Sequence, residues 1–108
     1  MQITQRTARE AVIVALAGEV DMSTSPDVRH VFLELVERKT PRVIVDLTSV
    51  SYIDSSGIAT LVECFKNTGK YGGKLRLFGL NENIRDVFVL AKLDMIFDIR
   101  KSEEDALS

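Results

Sequence analysis

Apolar residues fall into two alternating patterns along the chain: short continuous runs, and residues recurring every three or four positions. Ala11-Val12-Ile13-Val14-Ala15-Leu16-Ala17 and Arg42-Val43-Ile44-Val45-Asp46-Leu47 are short runs rich in β-branched side chains. At that length they predict strands, the second buried on both faces of a sheet. Gly18 closes the first run, and the more polar residues 1–7 can pair beside it as an edge strand across the short Ala8-Arg9-Glu10 turn. Val28, Val31, Phe32, Leu35 and Val36 then recur at helical spacing, with Ser25 as the expected N-cap and Pro26 at the first helical position. Lys39-Thr40-Pro41 breaks that helix.

The same alternation continues. Ile58, Leu61, Val62 and Phe65 predict a second helix running to about Lys70, ended by Tyr71-Gly72-Gly73. Residues 74–80 alternate charge with apolar side chains, as a strand near a sheet edge does. Asn81 or Asn83 can cap a third helix that buries Ile84, Val87, Phe88 and Ala91. A short strand is expected over residues 96–100, then one or two frayed helical turns over 102–107. After an opening hairpin this is a βα alternation. It predicts one α/β domain, residues 1–108, with a mixed, mostly parallel sheet of about five strands, about four helices and right-handed crossovers. Functional surfaces of such sheets lie at the strands' C-terminal ends, which puts residues 19–25 and 51–57 on one rim if their strands are parallel neighbours.

The second of those segments, Ile53-Asp54-Ser55-Ser56-Gly57-Ile58, is where the strand pattern gives way to the helix pattern. Such a junction exposes the first helical N–H groups, and a short hydroxyl or carboxylate can cap them. Two adjacent serines are more than a cap requires. One can bond to the helix while the other presents its hydroxyl to solvent, where the helix dipole tolerates an added phosphate. A plain capped helix start with a small Gly57 accounts for the same residues.

Composition narrows the chemistry. The 108 residues are 45% hydrophobic and 28% charged, a globular average that argues against disorder. The formal charge of −2, with no Lys/Arg cluster interleaved with aromatics, supplies no footprint for nucleic acid. The first residues lack the apolar core of a signal peptide and no apolar stretch approaches a membrane span, so a cytoplasmic protein without membrane insertion is expected. The single Cys64 allows no internal disulfide and reads as a small buried hydrophobe. The lone His30 lies about 200° around the helix from Val28 and faces solvent. No G-x-S-x-G elbow, Walker loop or dinucleotide loop is present, so neither an enzyme nor a cofactor is expected. Glu19, Asp21, Asp46 and Asp54 could approach one another and bind a divalent ion, but isolated Asp residues at loop starts are more often turn and cap formers. Glu103-Glu104-Asp105 reads as a solvated face.

Across almost the whole length the chain resembles the STAS domain, specifically the stand-alone bacterial anti-sigma factor antagonists. The resemblance rests on Leu16-Ala17-Gly18-Glu19-Val20-Asp21, on the longer and more specific stretch from Val43 through Asp46, Tyr52, Asp54-Ser55-Ser56-Gly57 and Ile58, and on Gly73-Lys74-Leu75-Arg76-Leu77. Many members have Leu-Gly where this chain has Ile58-Ala59. The resemblance implies that a serine protein kinase, doubling as an anti-sigma factor, phosphorylates the first hydroxyl after the motif Asp, which is Ser55, with Ser56 the runner-up. It implies that the unphosphorylated form binds that kinase and frees the sigma factor, and that a serine phosphatase resets the switch. The implied partner surface comprises Asp21, Ser23, Thr24, Asp54, Ser55, Ser56 and Gly57. Two other readings remain open: a STAS subunit of a membrane lipid-transport ABC complex acting without phosphorylation, and a small carboxylate-dependent hydrolase.

Overall fold

The computed structural model describes all 108 residues. The element order is β1 (Gln2–Ala8), β2 (Ala11–Val20), α1 (Ser25–Glu37), β3 (Arg42–Ile53), α2 (Ser55–Lys70), β4 (Lys74–Phe78), α3 (Glu82–Leu90), β5 (Asp98–Arg100) and α4 (Glu103–Leu107), with one 3-10 turn at Leu93–Met95 before β5. The strands form one sheet in the order β1-β2-β3-β4-β5. Only the β1–β2 hairpin is antiparallel; the other three pairs are parallel. The expected α/β class, mixed and mostly parallel five-stranded sheet and helix count are all present.

Strand alternation divides the buried side chains into two unequal layers. Val14, Leu16, Val43, Val45, Leu47, Leu75 and Leu77 share one core with Val28, Phe32 and Leu35 of α1, Leu61 and Cys64 of α2, and Ile84 and Phe88 of α3. On the other face Ala11, Ile13, Ile44 and Phe78 pack with Ala106 and Leu107 of α4. Each large side chain fully buried this way contributes roughly 1.5–3 kcal/mol, so the three-helix face supplies most of the stabilisation.

Several boundaries differ from the sequence expectation, each for an identifiable reason. Gly18 does not close β2. It adopts φ +114° inside the strand, beside a register shift between Gly18 and Glu19, and the strand continues to Val20. The extra residue at that shift is Ser51 of β3, so this glycine sits opposite a bulge rather than at a strand end. Likewise β3 runs past Leu47 to Ile53, because Val50 and Ile53 remain buried while Thr48, Ser49, Ser51 and Tyr52 are exposed. Ser25 is not the N-cap of α1. Both Thr24 N and Ser25 N donate to the Asp21 carbonyl, at 3.1 and 2.7 Å, so the chain is already turning and Thr24 becomes the cap residue, with Ser25 buried.

The α3 stripe is narrower than expected. Ile84 and Phe88 are buried, but Val87 is 39% exposed and Ala91 is exposed, because this short helix meets the core along a single i, i+4 line. The last strand is shorter than residues 96–100, since Lys92 turns left-handed (φ 58°) and winds Leu93–Met95 into the 3-10 turn. The acidic run of α4 is only partly solvated. Glu103 pairs with Arg6, and Asp105 pairs with Arg100 at 3.4 Å and accepts from Lys101 N at 3.1 Å.

Gly79 ends β4 at φ +83°, and a Cβ there would lie 2.7 Å from the Thr48 backbone nitrogen of β3. Both the left-handed conformation and the contact with backbone exclude a side chain. Gly79→Ala is therefore expected to lower the unfolding free energy in urea by about 2–3 kcal/mol. A loss below about 0.5 kcal/mol, the range of neutral surface changes, would show that the β3–β4 approach is not constrained there.

Candidate functional site

β2 and β3 end side by side. Val20 pairs with Ile53, and Asp54 N donates to the Val20 carbonyl at 3.0 Å, so Asp21 and Asp54 leave the sheet as neighbours. The rim expected from the parallel-sheet argument is formed. Asp54 is extended (φ −104°, ψ −173°) and is the N-cap of α2. Its Oδ1 accepts from Ser56 N at 2.9 Å, Gly57 N at 3.2 Å and the Ser56 hydroxyl at 2.6 Å. Ser55 occupies the first helical position, exposed, and its hydroxyl takes no part in this network. Gly57 is buried, not on the surface. A Cβ there would come within 2.7 Å of both Ile53 Cγ1 and Val20 Cγ1, so the missing side chain is what lets α2 start against the strand ends.

The segment after β2 is held as tightly. Asp21 Oδ1 accepts from Ser23 N at 2.9 Å, the Ser23 hydroxyl at 2.7 Å and Thr24 N at 3.2 Å. Thr24 Oγ1 accepts from Asp21 N at 2.9 Å and donates to the Glu19 carbonyl at 2.8 Å. At the tip of this turn Met22 is 80% exposed. The hydrophobic pattern does not mark Met22 out; the signal that does is the repetition of Asp-x-Ser at residues 21–23 and 54–56.

Electrostatics make the rim anionic. The Ser56 hydroxyl, then the Gly57 and Ser56 amides, hold the Asp54 carboxyl below the ordinary aspartate value, against partial desolvation and the repulsion of Asp21. The Ser23 hydroxyl does the same for Asp21, helped by the Ser23 and Thr24 amides. Both are ionised at neutral pH, and neither takes part in any of the chain's ion pairs. All of their intramolecular hydrogen bonds fall on Oδ1, which leaves Oδ2 of each unbonded.

The other candidate chemistries are not assembled. Asp46 caps its own turn by accepting from Thr48 N at 2.9 Å, and no three acidic, histidine or cysteine side chains converge to hold a metal ion. Cys64 is buried and its thiol is pushed up to about 12, so it stays protonated. His30 is exposed and pairs with Glu34 at 2.7 Å. The largest concavity, about 490 Å³, lies at the opposite end of the sheet beside Gly73 and Lys74, and Ser55 does not line it. No helix is long and apolar enough to cross a membrane.

Comparison with known proteins is consistent along the whole chain. Residues 2–106 match the family model of the STAS domain. Over 91 residues the chain is 36% identical to an anti-sigma-B factor antagonist of Listeria monocytogenes, an alignment that covers 83% of this chain and 79% of that protein. An anti-sigma factor antagonist from Mycobacterium paratuberculosis shares the fold at a TM-score of 0.90 and 24% identity, over 98% of this chain and 90% of that one. The Bacillus cell fate determinant SpoIIAA in its phosphorylated form shares it at 0.77 and 21% identity, over 98% and 96%.

Removing the Asp54 carboxylate leaves three donors at the start of α2 without their acceptor. Asp54→Ala is expected to lower the thermal midpoint by several degrees at neutral pH, whereas Asp54→Asn, whose amide oxygen can still cap, loses little. Because the folded-state carboxyl sits below its unfolded value, the wild-type advantage over Asp54→Ala is full above about pH 4 and is lost as pH falls through the depressed folded-state value. A difference between the two midpoints that stayed constant down to about pH 2 would contradict this account of the cap.

Proposed function

As the chain belongs to the STAS domain family, we propose that it acts as an anti-sigma factor antagonist in a partner-switching module, with Ser55 as its phosphorylation site. Unphosphorylated, it binds a serine protein kinase that doubles as an anti-sigma factor; phosphorylated on Ser55, it lets go, and a serine phosphatase restores it. It acts as ligand and substrate rather than as catalyst. The observation that carries the choice of residue is the contrast between two neighbours. The Ser56 hydroxyl is committed to Asp54 at 2.6 Å, while the Ser55 hydroxyl is exposed and uncommitted.

The same geometry supports a switch that acts on binding rather than on folding. A phosphoserine brings about −1.5 to −2 charge and three acceptor oxygens. At an empty helix N-terminus it would gain from the free amides, but here the Ser56 and Gly57 amides already serve Asp54. The phosphate would therefore stand in solvent beside two carboxylates, Asp54 and Asp21, and leave the fold as it is. In the docked state the cost appears: a doubly charged group must be desolvated in an interface formed around a neutral hydroxyl. Asp21, Ser23, Thr24, Asp54 and Ser56 form the docking rim around Ser55, and Gly57 sets its position from below.

Incubation with the cognate kinase and ATP is expected to add a single phosphate by intact mass, mapping to Ser55. Ser56→Ala should still accept it and Ser55→Ala should not. Ser55→Asp is expected to weaken kinase binding on the order of 100-fold, equivalent to about 3 kcal/mol, with an unchanged far-UV circular dichroism spectrum. Phosphate mapping to Ser56 or Ser23, or equal affinity for wild type, Ser55→Ala and Ser55→Asp, would overturn the proposal.

A further inference from the structure

Asp21-Met22-Ser23-Thr24 and Asp54-Ser55-Ser56-Gly57 are one device built twice. In each, the aspartate Oδ1 accepts from the amide two residues on at 2.9 Å, from the amide three residues on at 3.2 Å, and from the hydroxyl of the serine two residues on, at 2.7 Å in the first and 2.6 Å in the second. The two devices terminate neighbouring parallel strands and are tied together by the 3.0 Å bond from Asp54 N to the Val20 carbonyl. In both, the residue directly after the aspartate is the one whose side chain the device does not use. In one copy that residue is Ser55; in the other it is Met22.

Met22 is thus the positional counterpart of the phosphoacceptor. Its side chain is 80% exposed, yet the backbone on either side is fixed, with Asp21 N bonded to Thr24 Oγ1 and Ser23 N to Asp21 Oδ1, both at 2.9 Å. A large apolar side chain on a rigid base gains little from solvent and loses little entropy in its backbone on docking. An unbranched thioether also adapts to an irregular recess.

Resting on the reading of Ser55 given above, we propose that Met22 is a specificity determinant for the kinase that modifies Ser55: its side chain enters an apolar recess next to the kinase's phosphotransfer centre and anchors the substrate there. Charge identifies the occupant as such a partner rather than a second copy of this chain. Asp21 and Asp54, each with an unbonded Oδ2, immediately precede Met22 and Ser55 in the chain, and a symmetric dimer through this rim would set those carboxylates against their own equivalents. A kinase surface carrying Lys or Arg beside the recess matches both features. The transfer itself is ordinary: the Ser55 oxygen forms a bond to the γ-phosphorus of ATP as the bond to the ADP oxygen breaks, and the hydroxyl proton passes to a base of the kinase. Met22 takes no part in that chemistry.

The test is steady-state phosphorylation of the full chain by the serine kinase that modifies Ser55. Met22→Ala is expected to raise KM about tenfold, the scale of burying one such side chain, with kcat within about twofold of wild type. Met22→Leu, close in volume and still apolar, should recover most of the loss, and neither change should move the thermal midpoint. An unchanged KM in Met22→Ala, or an equal loss in Met22→Leu, would overturn the inference while leaving Ser55 as the acceptor. If wild type takes no phosphate on Ser55, both this inference and the reading beneath it fall.

Discussion

The parallel pairing of β2 with β3 is the constraint on which the rest of the site depends. Ile13, Val14, Val43, Val45 and Leu47 are all completely buried, so the register between the two strands is fixed by apolar side chains on both faces. A one-residue slip would move each of them to the wrong layer. That register carries through two irregularities to the last pair, Val20 with Ile53, and so brings two separate aspartates out of the sheet next to each other. Gly57 completes the constraint from the helix side, because α2 can start there only where no Cβ meets Val20 and Ile53.

The opposite face explains why a change at the rim stays local. α4 is only five residues long, too short to be stable alone, yet Ala106 and Leu107 are buried over Ile13, Ile44 and Phe78. Arginines from two strands hold it from beneath: Arg42 donates to the Leu107 carbonyl at 2.6 Å and Arg76 to the Ala106 carbonyl at 2.8 Å. Cations at the C-terminal carbonyls of a helix complement its dipole as well as satisfying groups that have no partner within the helix. The sheet is therefore covered on both faces at the end away from the rim, and the rim is the part built from hydrogen-bonded turns.

Periodicity made most of this architecture legible, and the failures share one cause. The βα order, the buried central strand, the α2 boundary and the shared rim followed from spacing, because a period of two or of about 3.6 is imposed by backbone geometry and survives any tertiary context. What spacing cannot report is where a strand continues through irregular residues. Gly18 and the Thr48-Ser49 step look like strand ends, and only pairing with a neighbour shows them to lie at register shifts within longer strands. Side-chain competition for the same donors was hidden in the same way. Asp54, Ser55 and Ser56 are all acceptable caps by residue type, and the outcome turned on Asp54 being extended while Ser55 was already helical. Arg76 looked like the solvent side of a near-edge strand, whereas it reaches the end of α4.

The identity of the cap has a consequence for regulation that follows from valence alone. Had a serine capped α2, phosphorylating it would have removed the acceptor and placed charge directly on the helix amides, coupling modification to the integrity of the helix. With an aspartate as cap, the amides are satisfied whether or not the neighbouring hydroxyl is modified, and the Ser56 hydroxyl adds a further bond to the same oxygen. The carboxylate also fixes the sign of the rim before any modification occurs, so under the proposed function a phosphate on Ser55 would intensify a charge that is present rather than reverse one. Selection between modified and unmodified forms must then come from desolvation and space in the interface, not from a change of sign. A small neutral hydroxyl beside a fixed carboxylate suits that kind of discrimination, because the partner can close over it without leaving a buried charge unpaired.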